Sequence, residues 1–369
     1  MKKLRIAISG GGTGGHIYPA LAILDSLRQV AEIKVLYLGS ADSQEEKRAG
    51  GLAIPFQRIK AHGLSRRSPK IVMQMFVNYQ GYRQARHILK NFSPNVVVGT
   101  GGYVAAPVLR AAVSLGLPAL IHEQNAYPGL ANKMLAPKVS RVCLTFGAAA
   151  PYFRRRDNLT VTGLPVRRAI MEAGREEAWT CLGLSPEYPL LLITGGSQGA
   201  QRINRAATGA YQGLLEQGWQ ILHLTGATGY EEALAAAQSQ GLAQDRRLAI
   251  RAYLEEMEYA LAAADLVLSR AGASFLSELL CRGLPAILAP YPFAAGDHQR
   301  HNARALEEKG AAIVIEDKEL TPITLLEMAG NLLTDKERRQ AMAAASCGMG
   351  NPGAGERIAE LILELQRQN

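Results

Sequence analysis

The sequence has few aromatic residues, few cysteines and no long hydrophobic run. Its 369 residues include only 2 Trp and 7 Phe, against 37 Gly, so backbone turns and close approaches matter more than aromatic packing. The 4 cysteines lie far apart without a CxxC pair, which disfavours a metal site or a disulfide framework and favours a reducing compartment. The apolar run at residues 4–8 ends in glycines and is too short for a signal sequence or a membrane span. A soluble or peripheral protein is therefore expected.

The chain carries a net positive charge. Lys and Arg number 41 against 32 Asp and Glu, a formal net charge of +9, while hydrophobic residues make up 48%. This composition excludes a disordered or coiled-coil chain. The excess of positive charge favours an anionic partner, which is a nucleic acid, a phosphorylated ligand or an acidic membrane surface.

Predicted strands and helices alternate along the chain, and the pattern starts twice. Leu4–Ser9 and Leu190–Thr194 are apolar strands that each run into a glycine cluster and then a helix, the first expected over residues 19–30 with Pro19 in its first turn. Further strands are expected at residues 34–38, 95–98, 119–121, 141–144, 160–162, 220–224, 248–251, 266–268, 286–289 and 312–315. The pattern predicts an α/β protein of two Rossmann-like domains with parallel sheets. We expect them at residues 1–164 and 165–345, with an amphipathic helix in residues 346–369 that packs back on the first domain.

The first glycine cluster matches a dinucleotide-binding fingerprint in form only. Gly10, Gly12 and Gly15 have GxGxxG spacing, but the second strand ends in Tyr37-Leu38-Gly39-Ser40, without the acidic residue that holds an NAD ribose. The cluster remains a place where a ligand or the other domain approaches the backbone. His16 follows at the helix entrance, where the positive helix end favours its neutral, proton-accepting form; a simple capping role is the equal alternative.

The second glycine cluster, Gly195-Gly196-Ser197-Gln198-Gly199, suits a diphosphate through its N–H groups and the Ser197 hydroxyl. It lacks the Lys of a Walker loop, which disfavours ATP hydrolysis. Small residues at 269–274 then open a helix that carries Glu278, a carboxylate suited to accept hydrogen bonds from both ribose hydroxyls. A solvated surface carboxylate is the alternative for Glu278, and its apolar neighbours disfavour it.

Polar side chains cluster at two further places. His122-Glu123-Gln124-Asn125 follows a buried strand, so four polar side chains are expected to emerge together at its carboxyl end. No DxD motif occurs in the sequence, so a metal-bridged diphosphate has no candidate ligands. The HxxH spacing of His298 and His301 favours hydrogen bonds on a helix face over a metal site.

The segment of residues 64–90 mixes basic side chains such as Arg66 and Lys70 with apolar ones such as Met75 and Phe76. A basic amphipathic segment lies on an anionic membrane surface. A core-facing helix with a charged outer face has the same composition, and the residues alone favour that alternative.

Together these motifs resemble the MurG family of N-acetylglucosaminyltransferases. The resemblance rests on residues 11–16, 99–103, 122–125, 195–200 and 269–278, which occur in the family's order with fitting gaps. It implies a GT-B fold, two Rossmann-like domains that face each other across a cleft, with the donor nucleotide mainly in the C-terminal one. It also implies inverting transfer of N-acetylglucosamine from UDP-N-acetylglucosamine to undecaprenyl-diphospho-N-acetylmuramoyl-pentapeptide (lipid I to lipid II) in peptidoglycan synthesis, with no metal or other cofactor.

The resemblance implies roles for individual residues. His16 is implied as the base for the acceptor hydroxyl, with Glu123 as alternative or partner. The implied substrate-binding residues are Thr13, Gly14, Gly15, Asn125, Arg167, Ser197, Leu254, Ala273, Ser274, Phe275, Leu276, Ser277, Glu278 and Gln299. Leu164 stands where the family usually has Asn, so the sequence departs from the pattern at one linker position.

The position of residues 64–90 resembles the family's membrane-docking segment. The resemblance therefore implies a peripheral protein on the cytoplasmic face of the cell membrane, bound to an anionic surface and not to nucleic acid. Two other classes remain as alternatives. A UDP-sugar epimerase of the same twin-domain fold would release free UDP or a 2-epimer without an acceptor, and a non-catalytic nucleotide-binding protein would keep its function after His16→Ala.

Overall fold

The computed structural model describes residues 3–63, 71–196 and 199–368. The chain divides into two compact units. The first unit contains Met1–Pro165 and Asn351–Asn369, and the second contains Val166–Gly350. Each unit is built on one sheet whose described strands are all parallel, so the predicted pair of Rossmann-like domains is confirmed.

The first unit has a seven-stranded sheet in the order β3-β2-β1-β4-β5-β6-β7. Its strands are β1 (Leu4–Ser9), β2 (Ile33–Gly39), β3 (Phe56–Arg58), β4 (Val96–Gly99), β5 (Ala119–Glu123), β6 (Arg141–Leu144) and β7 (Leu159–Val161). Its helices from the N-terminal part of the chain are α1 (Gly14–Val30), α2 (Gln44–Gly51), α3 (Ile71–Phe92), α4 (Ala105–Ser114) and α5 (Leu130–Leu135). The strand order reverses direction between β1 and β4, which is where ligands bind in open α/β sheets.

The second unit has a six-stranded sheet in the order β10-β9-β8-β11-β12-β13. Its helices in chain order are α6 (Arg168–Glu172), α7 (Arg175–Leu182), α8 (Gln201–Glu216), α9 (Tyr230–Ser239), α10 (Met257–Ala263), α11 (Ala273–Cys281), α12 (His298–Glu307), α13 (Pro322–Thr334) and α14 (Lys336–Met349). Its strands are β8 (Leu190–Thr194), β9 (Gln220–Leu224), β10 (Leu248–Arg251), β11 (Leu266–Ser269), β12 (Ala286–Leu288) and β13 (Ala312–Val314). The order reverses here between β8 and β11.

Alternate residues of the central strands supply two separate cores in the first unit. On β1, Ala7 packs with the side chains of α4 on one face, while Ile6 and Ile8 pack with α1 on the other. Successive strand residues point to opposite faces, so a strand covered on both sides is apolar throughout. A last helix, α15 (Ala354–Arg367), belongs to this unit and buries Ile358 and Ile362 in the core that contains α1.

Three elements differ from the sequence-based prediction. Strand β3 was not predicted, because its residues Phe-Gln-Arg at the sheet edge are half-buried or exposed and form no apolar run. Helix α1 begins at Gly14, since Thr13 O already accepts hydrogen bonds from the N–H groups of His16 and Ile17; Pro19 therefore lies inside the helix and not in its first turn. The predicted start of the last segment at residue 346 falls inside α14, whose buried Ser346 belongs to the second unit.

Gly81 allows α3 to pack closely against the segment of the first unit that contains Lys60. A Cβ atom at Gly81 would lie 1.8 Å from Lys60 O, so only glycine permits this contact. The side chains of Asn78 and Gln84 accept hydrogen bonds from the backbone N–H groups of His62 and Lys60, at 2.9 and 2.8 Å. Helix α3 is therefore held by its inner face. Within the described part of the chain, no helix is both long and apolar enough to cross a bilayer.

Candidate active site

Two glycine loops meet at the point where the strand order of the first unit reverses. The loop after β1 and the loop after β4 are joined by a hydrogen bond from Gly11 N to Gly101 O, at 3.4 Å. Gly102 has a φ of +77°, and a Cβ atom there would lie 2.1 Å from Gly11 O. The tight contact of the two backbones therefore requires glycine at this position. Thr13 and Gly15 are exposed at the N-terminus of α1 and Gly14 is half-buried, so the first N–H groups of the helix lie at this edge.

His16, in the first turn of α1, is tied to both neighbouring strands. Its Nδ1 lies 3.1 Å from the backbone carbonyl of Thr100 and 3.1 Å from Gln124 Oε1. The Thr100 hydroxyl in turn donates to the backbone carbonyl of His16, at 2.7 Å. Thr100 O and Gln124 Oε1 both accept hydrogen bonds, so together they favour a proton on Nδ1. The contacts with both neighbouring strands hold the ring in one orientation.

The polar residues that end β5 are buried, whereas the sequence predicted that they emerge together. His122, Glu123 and Gln124 are each at most 1% exposed. The side chain of Gln124 donates from Nε2 to His122 Nδ1, at 3.0 Å, and His122 Nε2 lies 3.0 Å from Gly163 O. Burial lowers the pKa of His122 to about 4, so this ring is neutral at physiological pH. Gln124 was predicted as a member of this polar cluster but without a role of its own, since its neighbours in sequence do not reveal that it reaches His16.

Glu123 holds a loop together. Its carboxylate accepts hydrogen bonds from Asn125 N (3.0 Å), Asn125 Nδ2 (3.3 Å), Gly129 N (3.0 Å) and Asn132 Nδ2 (2.8 Å). Both oxygens are therefore engaged by donors from the segment after β5. This geometry favours a structural role for Glu123 over a role as a base. In that structural role, its hydrogen bonds hold Asn125 in position.

We expect Glu123→Gln to lower the free energy of unfolding of the first unit by about 3 kcal/mol, because an amide cannot accept all four hydrogen bonds and leaves buried donors unpaired. Urea unfolding, together with hydrogen exchange at the Asn125 and Gly129 amides, measures this loss. The exposed Asp157→Asn change, in an ion pair with Arg155, serves as the control and should shift stability by less than about 0.5 kcal/mol. A Glu123→Gln protein of unchanged stability whose kcat collapses would assign the base role to Glu123 instead.

The second unit repeats the arrangement of loops where its strand order reverses. Gly195 and Gly196 follow β8, and residues 270–272 follow the adjacent β11. Gly199 has a φ of +75°, and a Cβ atom there would lie 2.2 Å from Thr225 O, so the loop is pressed onto its neighbour. Ser197, predicted to bind the diphosphate, lies outside the described residues.

Helix α11 presents its backbone and not most of its side chains at this edge. Leu276 is fully buried, and the Ser277 hydroxyl donates to Ala273 O, at 2.9 Å. Ala273 is also buried, while Ser274 and Phe275 are half-buried. A ligand at this edge would therefore meet the first N–H groups of the helix. Among the predicted side chains of α11, Glu278 is the ionisable one.

Glu278 belongs to a charged cluster with Arg167 and Glu258. Arg167 lies 3.4 Å from Glu258 Oε2 and 4.0 Å from Glu278 Oε1. Burial, and to a smaller extent the charge of Glu258, raises the pKa of Glu278 to about 7, while Arg167 opposes that rise. Glu258, in the first turn of α10, was not predicted, because no motif surrounds it in the sequence.

Gln299 and Leu254 occupy supporting positions. The Oε1 atom of Gln299 accepts hydrogen bonds from Ala271 N (3.2 Å) and Tyr291 N (2.9 Å), which joins the loop after β11 to the loop after β12. The carbonyl end of this amide therefore faces the backbone, and its NH2 end is directed away from these two N–H groups. Leu254, between β10 and α10, is 5% exposed, so a ligand there would meet only the edge of its side chain.

The comparison with known domains defines the class of this protein. Residues 6–144 match the glycosyltransferase family 28 N-terminal domain, and residues 190–360 match the glycosyltransferase family 28 C-terminal domain. The chain belongs to glycosyltransferase family 28, and within it to the MurG family that its motifs resemble.

The individual relatives agree with this assignment. The chain is 44% identical, over 95% of its length and 96% of the relative's, to a UDP-N-acetylglucosamine--N-acetylmuramyl-(pentapeptide) pyrophosphoryl-undecaprenol N-acetylglucosamine transferase of Desulforamulus reducens. It is similar to the crystal structure of Acinetobacter baumannii MurG, with a TM-score of 0.75 and 28% identity, covering 98% of this chain and 100% of that one. A UDP-N-acetylglucosamine 2-epimerase structure gives a TM-score of 0.67 at 16% identity, covering 100% and 98% of the two chains, which shows a shared fold alone.

Proposed function

We propose that this protein transfers N-acetylglucosamine from UDP-N-acetylglucosamine to undecaprenyl-diphospho-N-acetylmuramoyl-pentapeptide, with inversion at the sugar carbon. The names of its relatives support this substrate pair. The observation in the structure that carries the proposal is the position of His16, whose Nδ1 lies 3.1 Å from two acceptor oxygens. We propose that Nε2 of this ring accepts the hydroxyl proton of the acceptor.

In the proposed reaction, an acceptor hydroxyl oxygen forms a bond to the anomeric carbon of the donor sugar. The bond from that carbon to the phosphate oxygen breaks, and its electron pair leaves with UDP. The hydroxyl proton passes to His16 Nε2. A single displacement of this kind inverts the configuration and needs one base.

We propose that the second unit holds the donor nucleotide and stabilises the charge that grows on departing UDP. The N–H groups at the start of α11 and the guanidinium of Arg167 supply preorganised positive charge for the diphosphate. Glu278 accepts from the ribose hydroxyls, Leu254 lies against the uracil, and the Gln299 NH2 group donates to the sugar. Ser197, Thr13, Gly14, Gly15 and Asn125 keep the binding roles that the family resemblance implies.

The test is transfer of labelled N-acetylglucosamine from UDP-N-acetylglucosamine to a lipid-linked muramoyl-pentapeptide analogue in the presence of EDTA. We expect a labelled disaccharide-lipid and no requirement for a divalent metal. Release of UDP or a 2-epimer from the donor without any acceptor would favour the epimerase alternative. Binding of UDP-sugar without either reaction would favour a non-catalytic protein.

We also propose that α3 binds an anionic membrane on the cytoplasmic side. The outward face of this helix exposes Val72 (75%), Met73 (57%), Met75 (58%), Phe76 (59%) and Tyr79 (51%). The exposed basic side chains Arg83, Arg86 and Lys90 continue along the helix. Exposed apolar side chains beside basic ones fit the boundary between headgroups and acyl chains. Residues 64–70 of the predicted membrane segment lie outside the described residues.

We expect Phe76→Glu to weaken binding to vesicles of phosphatidylglycerol and phosphatidylcholine about 30-fold, because it removes roughly 2 kcal/mol of apolar burial in the membrane. Co-sedimentation over a range of vesicle concentrations measures the change. Ile323→Glu is the matched control, since Ile323 is 68% exposed on α13 of the second unit and should not affect binding. Equal binding by Phe76→Glu and the unmodified protein would remove α3 as the membrane contact.

A further inference from the structure

We propose that His122 and Gln124 are positioning residues that set the protonation of His16 through a directional hydrogen-bond relay starting at the Gly163 carbonyl. The relay itself follows from geometry, whereas its effect on transfer rests on the proposed function of His16 as base. Neither residue is expected to touch a substrate, since each is at most 1% exposed.

The direction of every hydrogen bond in the relay is determined by its first acceptor. Gly163 O is a backbone carbonyl, so His122 Nε2, 3.0 Å away, must donate to it. A neutral ring protonated on Nε2 has its lone pair on Nδ1, which therefore accepts from Gln124 Nε2, at 3.0 Å. The low pKa of His122 excludes a doubly protonated ring near neutral pH.

The orientation of the Gln124 amide transmits this direction to His16. Its NH2 group also donates to His122 O, at 3.1 Å, so two acceptors hold the nitrogen on the His122 side. The amide oxygen must then face His16 Nδ1, at 3.1 Å. Together with Thr100 O, it forms a pair of acceptors that favours a proton on Nδ1 over one on Nε2. The two histidines consequently carry opposite tautomers.

A neutral amide suits this position better than a carboxylate. A carboxylate at residue 124 has only acceptor oxygens, so it would face the Nδ1 lone pair of His122 without a proton between them. The other titratable groups near the relay are Glu123, whose oxygens face the loop after β5, and Cys143, which pairs with His122 in the β5–β6 register. Neither supplies the missing proton, because Glu123 is turned away and burial raises the pKa of the Cys143 thiol to about 12.

The first experiment is two-bond ¹H–¹⁵N correlation NMR of the full chain labelled with ¹⁵N-histidine, with His16→Gln and His122→Gln used for assignment. We expect the Nδ1–H tautomer for His16 and the Nε2–H tautomer for His122. An Nε2–H tautomer for His16, or an Nδ1–H tautomer for His122, in the unmodified protein would overturn the relay.

The second experiment uses Gln124→Met, which keeps the length of the side chain and removes its three hydrogen bonds, to His16 Nδ1, His122 Nδ1 and His122 O. We expect a mixture of His16 tautomers in this variant and a kcat about tenfold lower, with little change in the donor KM. In a double-mutant cycle with His122→Leu, the two losses should not add, because both act on one relay.

Asn158→Leu is the matched control, since Asn158 is a fully buried amide of the same unit that donates to Ala136 O and Val139 O. It should lower stability but leave the His16 tautomer unchanged. An equal tautomer change in Asn158→Leu would show a general loss of packing and overturn the relay. A changed tautomer in Gln124→Met with unchanged kcat would support the relay and instead overturn His16 as the base.

Discussion

Replacement of His16 by Asn is expected to lower kcat about 1,000-fold, within the range of general base catalysis. The NH2 group of asparagine occupies the position of Nδ1 and can still donate to Thr100 O and Gln124 Oε1, so the local hydrogen bonds of the loop are kept. Its amide oxygen is far too weak a base to replace Nε2. The effect should therefore fall on the chemical step and leave the KM for UDP-N-acetylglucosamine within about threefold.

The measurement is the initial rate of labelled disaccharide-lipid formation at saturating donor, with UDP affinity measured by calorimetry on the same preparations. His62→Asn is the matched control, because His62 is an exposed histidine of the first unit whose Nδ1 bonds the adjacent Gly63 carbonyl. It should retain full activity. A His16→Asn variant within tenfold of the original kcat would show that another group accepts the proton.

Removal of the Glu278 carboxylate is expected to raise the donor KM about 100-fold, because two hydrogen bonds to a charged acceptor would be lost. Glu278→Gln keeps one acceptor oxygen and should raise KM about tenfold. Calorimetry at pH 8 should rank the UDP affinities of these variants in the same order. Equal affinities for UDP and for 2′,3′-dideoxy-UDP in the unmodified protein would place the ribose elsewhere.

The raised pKa of Glu278 makes the donor affinity dependent on pH. With a pKa of about 7 in the free protein, the carboxyl group binds a proton as the pH falls, and only the ionised form accepts both hydroxyls. UDP affinity should therefore fall about tenfold between pH 8 and pH 6. Glu258→Gln should move the midpoint to lower pH, and Arg167→Met should move it to higher pH, because these charges act on Glu278 in opposite directions.

The same pKa has a consequence for stability with a definite sign. Because the folded pKa of Glu278 lies above its ordinary value of 4.5, the folded unit binds more protons than the unfolded chain between these limits. The contribution of Glu278 to stability is therefore fully present below pH 4.5 and is lost as the pH rises through about 7. The ionised carboxylate therefore lowers the stability of the folded unit most at the pH where it would bind the donor best.

Most of the fold follows from local patterns in the sequence. Buried parallel strands read as short apolar runs, and glycine clusters after Leu4–Ser9 and Leu190–Thr194 mark the turns into helices. The edge strand Phe56–Arg58 escaped prediction since an edge position needs no apolar run. The start of α1 also escaped it, since the bonds to Thr13 O that begin the helix lie in a glycine segment of low helix propensity.

The two α/β units, the glycine loops and the family can all be predicted from the sequence alone, because they depend on residue types at short spacing. The separate roles of residues 122–125 became visible only in the folded protein, where Glu123 binds the following loop and Gln124 reaches His16. It also placed Glu258 beside Arg167, from a segment without a motif. The physical reason is that the protonation of His16 depends on acceptors 84 and 108 residues away along the chain, and only the order of the strands brings them within 3.1 Å.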